Sequence, residues 1–200
     1  MSKSTRHKVY FTPYGLRIRT LTLSHLNKYQ IQETIKTMEN QDFTTTILVD
    51  QTPKHAFDAV NNVRGWWSEE IEGGTEKLNE EFNYHFEDIH TCKMKLIEVI
   101  PDQKVVWYVM ENYFKFTTDK SEWIGTTISF EISKKDNKTQ IRFTHHGLVP
   151  AYECFNICRD AWTSYIQNSL RSLISTGKGQ PNAAGTPRTK NEEQFLSEQK

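Results

Sequence analysis

From Glu80 to Leu148 the chain repeats one pattern, in which short segments of alternating apolar and polar residues are separated by turn sequences. The segments are EEFNYHFE (80–87), HTCKMKLIEVI (90–100), QKVVWYVMEN (103–112), SEWIGTTISFEIS (121–133) and TQIRFTHHGL (139–148). Pro101-Asp102 and Lys135-Asp136-Asn137 read as hairpin turns. Alternation of this kind predicts half-buried strands, and the short separations predict an antiparallel meander. The period then changes. From about Tyr152 to Ser175 apolar residues recur at helical spacing, and Gly177 stands where a C-cap glycine is expected. A one-sided antiparallel sheet has to bury its apolar face, and this helix is the only element long enough to cover it.

Upstream, Phe43 to Val49 alternates like a first strand. Thr52-Pro53 then supplies an N-cap and a proline at the first helical position, opening a short helix that ends near Val63. Residues 41–176 are therefore expected to form one α+β domain, a curved antiparallel sheet of about six or seven strands around a long C-terminal helix. Residues 177–200, rich in Gly, Pro, Asn, Thr and charge, read as a disordered tail. Residues 1–40 read as an N-terminal extension. Met38 is followed by a sequence that runs straight into the first strand, so residues 1–37 are expected to be an added or upstream-translated segment, or an extension private to this chain.

Charge narrows the function classes. Lys+Arg and Asp+Glu are 25 each, but residues 1–40 carry net +5 and 177–200 net +1, which leaves the middle at 14 basic against 20 acidic residues. An acidic domain repels phosphate backbones, so no nucleic-acid partner is expected. No run approaches the roughly 20 apolar residues of a membrane span. Three cysteines and no apolar leader point to a reduced, cytoplasmic protein.

No cofactor is implied: Gly177-Lys178-Gly179 follows a helix rather than opening one. No metal site is expected either, because His145 and His146 face opposite sides of a strand and Cys154 and Cys158 read as buried thiols. No Ser/His/Asp arrangement is visible in the linear sequence.

Period two assigns the inward set. It contains Phe82, Tyr84, Phe86, Cys92, Met94 and Leu96, then Ile124, Ile128, Phe130 and Ile132, and finally Ile141, Phe143 and His145. The strand 103–112 is apolar on both faces, so Val105, Trp107 and Val109 compete with Val106, Tyr108 and Met110 for the interior. The helix contributes Phe155, Cys158, Trp162, Tyr165, Ile166, Ser169, Leu170 and Leu173. A ligand cavity between sheet and helix would be lined by Tyr84, Phe86, Met94, Trp107, Phe130 and Phe143 from the sheet. Cys158, Trp162 and Tyr165 would line it from the helix. Trp66 and Trp67 would gate the mouth, and His145 would either orient the ligand with Tyr84, Trp162 and Tyr165 or be a satisfied core histidine bonded to Tyr84, Tyr165 or a backbone carbonyl. A cavity under about 150 Å3 would count against this reading.

The strings FTTTILVDQTPKHAFDAVNNVRGWW, P-D-Q-K-V-V-W, EWIGTTISFEI, TQIRFTHHGL and W-x-x-Y-I-x-x-S-L, over about residues 42–180, resemble the SRPBCC (START-like, Bet v 1-like) superfamily. Within it they are most similar to Activator-of-Hsp90-ATPase-homologue-like domains. The resemblance implies a helix-grip fold with a hydrophobic cavity between sheet and helix. It also implies a small hydrophobic or amphipathic molecule as partner, because family members bind lipids, sterols or polyketides. Some members are cyclases and one branch is a co-chaperone of Hsp90. The alternatives are therefore an Hsp90-type co-chaperone or stress-response interaction protein, and a cyclase- or hydrolase-like enzyme using His145 as acid or base. The co-chaperone branch carries a second, N-terminal domain, for which forty residues are too few. No inward carboxylate is found to complete an acid–base pair, so no catalytic residue is assigned.

Overall fold

Alternation becomes strand almost residue for residue. The computed structural model describes residues 41–183, 186–187 and 189–198. The extension expected over residues 1–40 lies outside them. The strands are β1 (Phe43–Val49), β2 (Glu72–Gly73), β3 (Glu81–Phe86), β4 (His90–Ile100), β5 (Lys104–Phe114), β6 (Thr127–Lys135) and β7 (Lys138–His146). They form one antiparallel sheet in the order β1-β7-β6-β5-β4-β3-β2. The first helix, α1 (Pro53–Asn61), starts as its sequence requires: Thr52 is extended at ψ 157° and its Oγ1 accepts from the amide of His55. The fold is α+β.

The long helix α2 runs over residues 155–176 and is not uniform. Phe155–Ser164 and Arg171–Thr176 are α-helical, and Tyr165–Leu170 between them is a π-helical turn. Its start is capped from a distance, with the Glu122 carboxylate accepting the amides of Glu153 at 2.7 Å and Cys154 at 2.9 Å. It stops at Gly177, whose φ of 78° is the left-handed conformation glycine adopts without strain.

The sheet wraps α2, and the space between is filled mainly by rings. Val105, Trp107 and Val109 are fully buried while Tyr108 is exposed, which settles the inner face of β5. Cross-strand registry places Phe130 opposite Phe143 and Leu96 opposite Trp107. Aromatic pairs of this kind add about 0.5–1.5 kcal/mol beyond their burial.

Two expectations are corrected. Ile124 does not face inward; it is 50% exposed. Residues Ser121 to Gly125 form a turn, Gly125 has φ 84°, and β6 begins only at Thr127. The alternation was therefore extended across a turn. Residues 177–200, expected as a disordered tail, contain a short helix, α3 (Lys190–Ser197), and a parallel bridge between Ser68 and Asn182. The tail's polar composition hides three apolar or pairing residues (Asn182, Phe195 and Leu196) that dock on the domain: Asn182 is 4% exposed, and the other two pack on the core.

Candidate functional site

Beneath α2, toward the β3–β5 end of the sheet, lies a cavity of about 50 Å3. From α2 it is lined by Ile157, Cys158, Ala161, Trp162 and Tyr165, the last of these on the π-turn. The sheet supplies Tyr84, Phe86, His90 and Phe114. Connecting segments and the tail supply Trp67, Ile89, Phe116, Trp123 and Phe195. A volume of this size holds a few waters and falls well below the roughly 300 Å3 of an ordinary ligand pocket. Alternation alone leaves open whether the space between sheet and helix packs solid or holds a pocket; among the described residues its centre is packed by rings and this small cavity remains toward one end.

The packing shows where the expected lining went. Trp67, Tyr84, Phe86, Cys158, Trp162 and Tyr165 reach the cavity wall. Trp66, Met94, Trp107, Phe130, Phe143 and His145 do not; each is at or near zero exposure in the core below it. Nor do the paired tryptophans stand at a mouth. Trp66 donates from Nε1 to the carbonyl of Val60 at 3.1 Å, and both rings stack on Trp107.

His145 is a fully bonded structural residue. Thr126 Oγ1 donates to the carbonyl of Trp123 at 2.6 Å, so it accepts from His145 Nε2, 2.9 Å away. Nδ1 then accepts from Nε1 of Trp162 at 3.2 Å. Both ring nitrogens are used and the ring is neutral. Burial, with the neighbouring His146 and His90 adding to it, lowers its pKa to about 3. Of the two readings of His145, the satisfied core histidine is the one found, with Thr126 and Trp162 as its partners; no free nitrogen is left to orient a ligand or move a proton.

His90 has the opposite character. Its Nε2 is enclosed and has no hydrogen-bond partner. The ring is walled by Phe114 at 4.4 Å, Trp123 at 4.9 Å and Tyr84 at 5.1 Å, centroid to centroid. Burial lowers its pKa to about 3, which keeps it neutral in ordinary buffers. Sequence reasoning missed it, although a signal existed: running the alternation back from inward-facing Cys92 reaches His90.

A Ser–His–Asp alignment does form, on the sheet's outer face. His146 Nδ1 donates to Asp42 Oδ2 at 3.1 Å and its Nε2 accepts from Ser129 Oγ at 2.9 Å. Asp42 Oδ1 also takes the amide of Gly147 at 2.8 Å. Ser129 lies mid-strand with paired strands on both sides, so the amides around it belong to the sheet ladder. The alignment ties the start of β1 to β6 and β7.

Comparison with solved structures places this architecture. The solution structure of the Aha1 dimer from Colwellia psychrerythraea superposes with a TM-score of 0.56, 22% identity, and coverage of 70% of this chain and 99% of that one. DynU16, a protein of the dynemicin biosynthetic locus, gives 0.51 at 11% identity, over 69% of this chain and 48% of that one. Protein MLL2253 from Mesorhizobium loti gives 0.52 at 11% identity, over 66% and 96%. No family model and no curated protein matches the sequence. At these identities what is shared is the fold, and it is the helix-grip fold that the resemblance implied. Among the described residues no helix is long and apolar enough to cross a membrane.

Proposed function

We propose that this chain is an Aha1-like, SRPBCC-type binding module whose site is the aromatic cavity under α2. Its ligand is a small apolar molecule carrying one hydroxyl or similar polar group. The observation that carries this reading is the unpartnered Nε2 of His90, which with the unpartnered Nε1 of Trp123 stands on a wall made mainly of aromatic and aliphatic side chains. An enclosed polar atom without a partner costs about 1–3 kcal/mol, which a ligand hydrogen bond to it would recover. A hydroxyl both donates and accepts, so it satisfies Nε2 in either tautomer of the neutral ring. The 50 Å3 present lies below the 150 Å3 that counts against a binding reading, so the reading requires the outer end of the cavity, where Phe116 and Phe195 are only partly buried, to open.

Native mass spectrometry of the freshly purified full chain tests this, with 2-naphthol added as a probe. A discrete extra mass that disappears on denaturation supports the reading. A clean unliganded mass, both as purified and with excess 2-naphthol, overturns it.

A second reading, an Hsp90-type partner, is favoured by the likeness to the Aha1 dimer. It is tested by a pull-down of an Hsp90-type ATPase with the full chain, and failure to recover that ATPase counts against it.

A further inference from the structure

We infer that the tail helix α3 is an internal plug of the cavity, and that ligand gains access only when Phe195 withdraws. The inference rests on the binding reading above and specifies how that same site is controlled.

Phe195 belongs to the cavity wall and stacks on Phe116, with ring centroids 4.8 Å apart and an interplanar angle of 18°. Phe116 meets Phe114 at 4.9 Å, and Phe114 meets His90 at 4.4 Å. A continuous ladder of rings therefore runs from the tail to the one unpartnered imidazole nitrogen of the site. Phe195 occupies its outer rung.

The segment that delivers this ring is anchored independently of it. The amide of Gln180 donates to Ser169 Oγ at 2.7 Å, the amide of Asn182 to the Trp67 carbonyl at 2.9 Å, and the amide of Glu69 to the Asn182 carbonyl at 2.9 Å. Gly179 passes so close to Gly65 that a Cβ there would stand 2.0 Å from the Gly65 carbonyl oxygen, so only glycine fits. These contacts fix the tail beside Trp67, itself a cavity residue, whether or not α3 is seated.

Among its described residues, α3 meets the domain through two side chains. It has 8 residues, and an isolated helix that short is unstable in water. Lys190, Glu193, Gln194, Ser197 and Glu198 are exposed, and Phe195 and Leu196 are the residues that pack on the core. A weak helix on a strong anchor is a tethered competitor, present at high effective concentration yet displaceable. Withdrawing its phenyl ring frees space on the scale of a benzene-sized cavity, about 150 Å3.

The test is calorimetric titration of 2-naphthol into the full chain and into full-length Phe195→Ala and Phe195→Tyr, each shown to melt cooperatively. With the plug seated about nine-tenths of the time, Phe195→Ala binds roughly tenfold more tightly than the parent, and Phe195→Tyr stays close to it. Ala161→Trp, which fills the cavity from α2, abolishes binding in either background; Ile157→Trp does the same if Ala161→Trp fails to fold. Equal affinity of the parent and Phe195→Ala, with binding still abolished by the filling variant, overturns the plug and leaves the binding reading intact. Binding that ignores the filling variants, or is absent from every protein, overturns the binding reading itself.

Discussion

Trp162 donates its indole N–H to Nδ1 of His145 across 3.2 Å, joining α2 to the sheet through a fully buried polar link in an apolar interior. Because Thr126 holds the other nitrogen, the link fixes the tautomer of the histidine as well as its position. His145→Ala removes a fully buried ring and strands the Trp162 donor. A loss of about 3–5 kcal/mol in urea unfolding is expected. A loss below 1 kcal/mol would show that the link does not hold the helix to the sheet.

Acid sensitivity follows from the same interior. His145 and His90 both have folded pKa values of about 3, below the ordinary 6.5. The unfolded chain therefore binds protons that the folded chain refuses, and stability falls as pH drops from about 6.5 toward 3. Above about pH 7.5 neither group contributes to the slope. Between pH 7.5 and 5 each removes about 2 kcal/mol, the slope approaching 1.36 kcal/mol per pH unit at the acid end. Unfolding free energies at pH 7.5 and pH 5.0 check this, and the difference halves in His90→Phe. A flat profile contradicts two buried neutral imidazoles.

His90→Phe separates function from stability. The ring shape is kept and the enclosed, unpaired nitrogen disappears, so the melting temperature holds or rises. The preference of the protein for 2-naphthol over naphthalene is lost. A fall in melting temperature of several degrees would mean that Nε2 has a structural partner.

The thiols are predicted to be inert. Cys92, Cys154 and Cys158 are buried, and burial pushes the thiols of Cys92 and Cys158 up, away from the reactive thiolate. A thiol-specific disulfide reagent at pH 8 finds none of them in the native chain and all three in urea. Fast native labelling of one of them would mark a breathing motion next to the cavity.

The sheet and α2 were legible because each residue's face follows from a fixed period. Phe82, Tyr84 and Phe86, or Phe130 and Phe143, could hardly be placed otherwise. The cavity was not legible. Period two says which side chains point inward, and says nothing of which of them close on one another and which leave a gap. Trp107, Phe130 and Phe143 fill their space, whereas Tyr84 and Phe86 border one. Trp123 and Phe116 come from turns, where alternation assigns no face, and Phe195 comes from a stretch whose composition argues against order. His145 was placed inward correctly, but its partners Thr126 and Trp162 lie 19 and 17 residues away in sequence, so its saturation could be read only in three dimensions.

The central claim is that His90 is the polar point of a ligand site. The direct measurement is the 15N chemical shift of the imidazole nitrogens during titration of the full-length Phe195→Ala protein with 2-naphthol. A saturable shift at His90 Nε2, absent from exposed His55 and His146, is the predicted result. An unmoved His90 at saturating probe, or a shift shared equally with the exposed histidines, would contradict it.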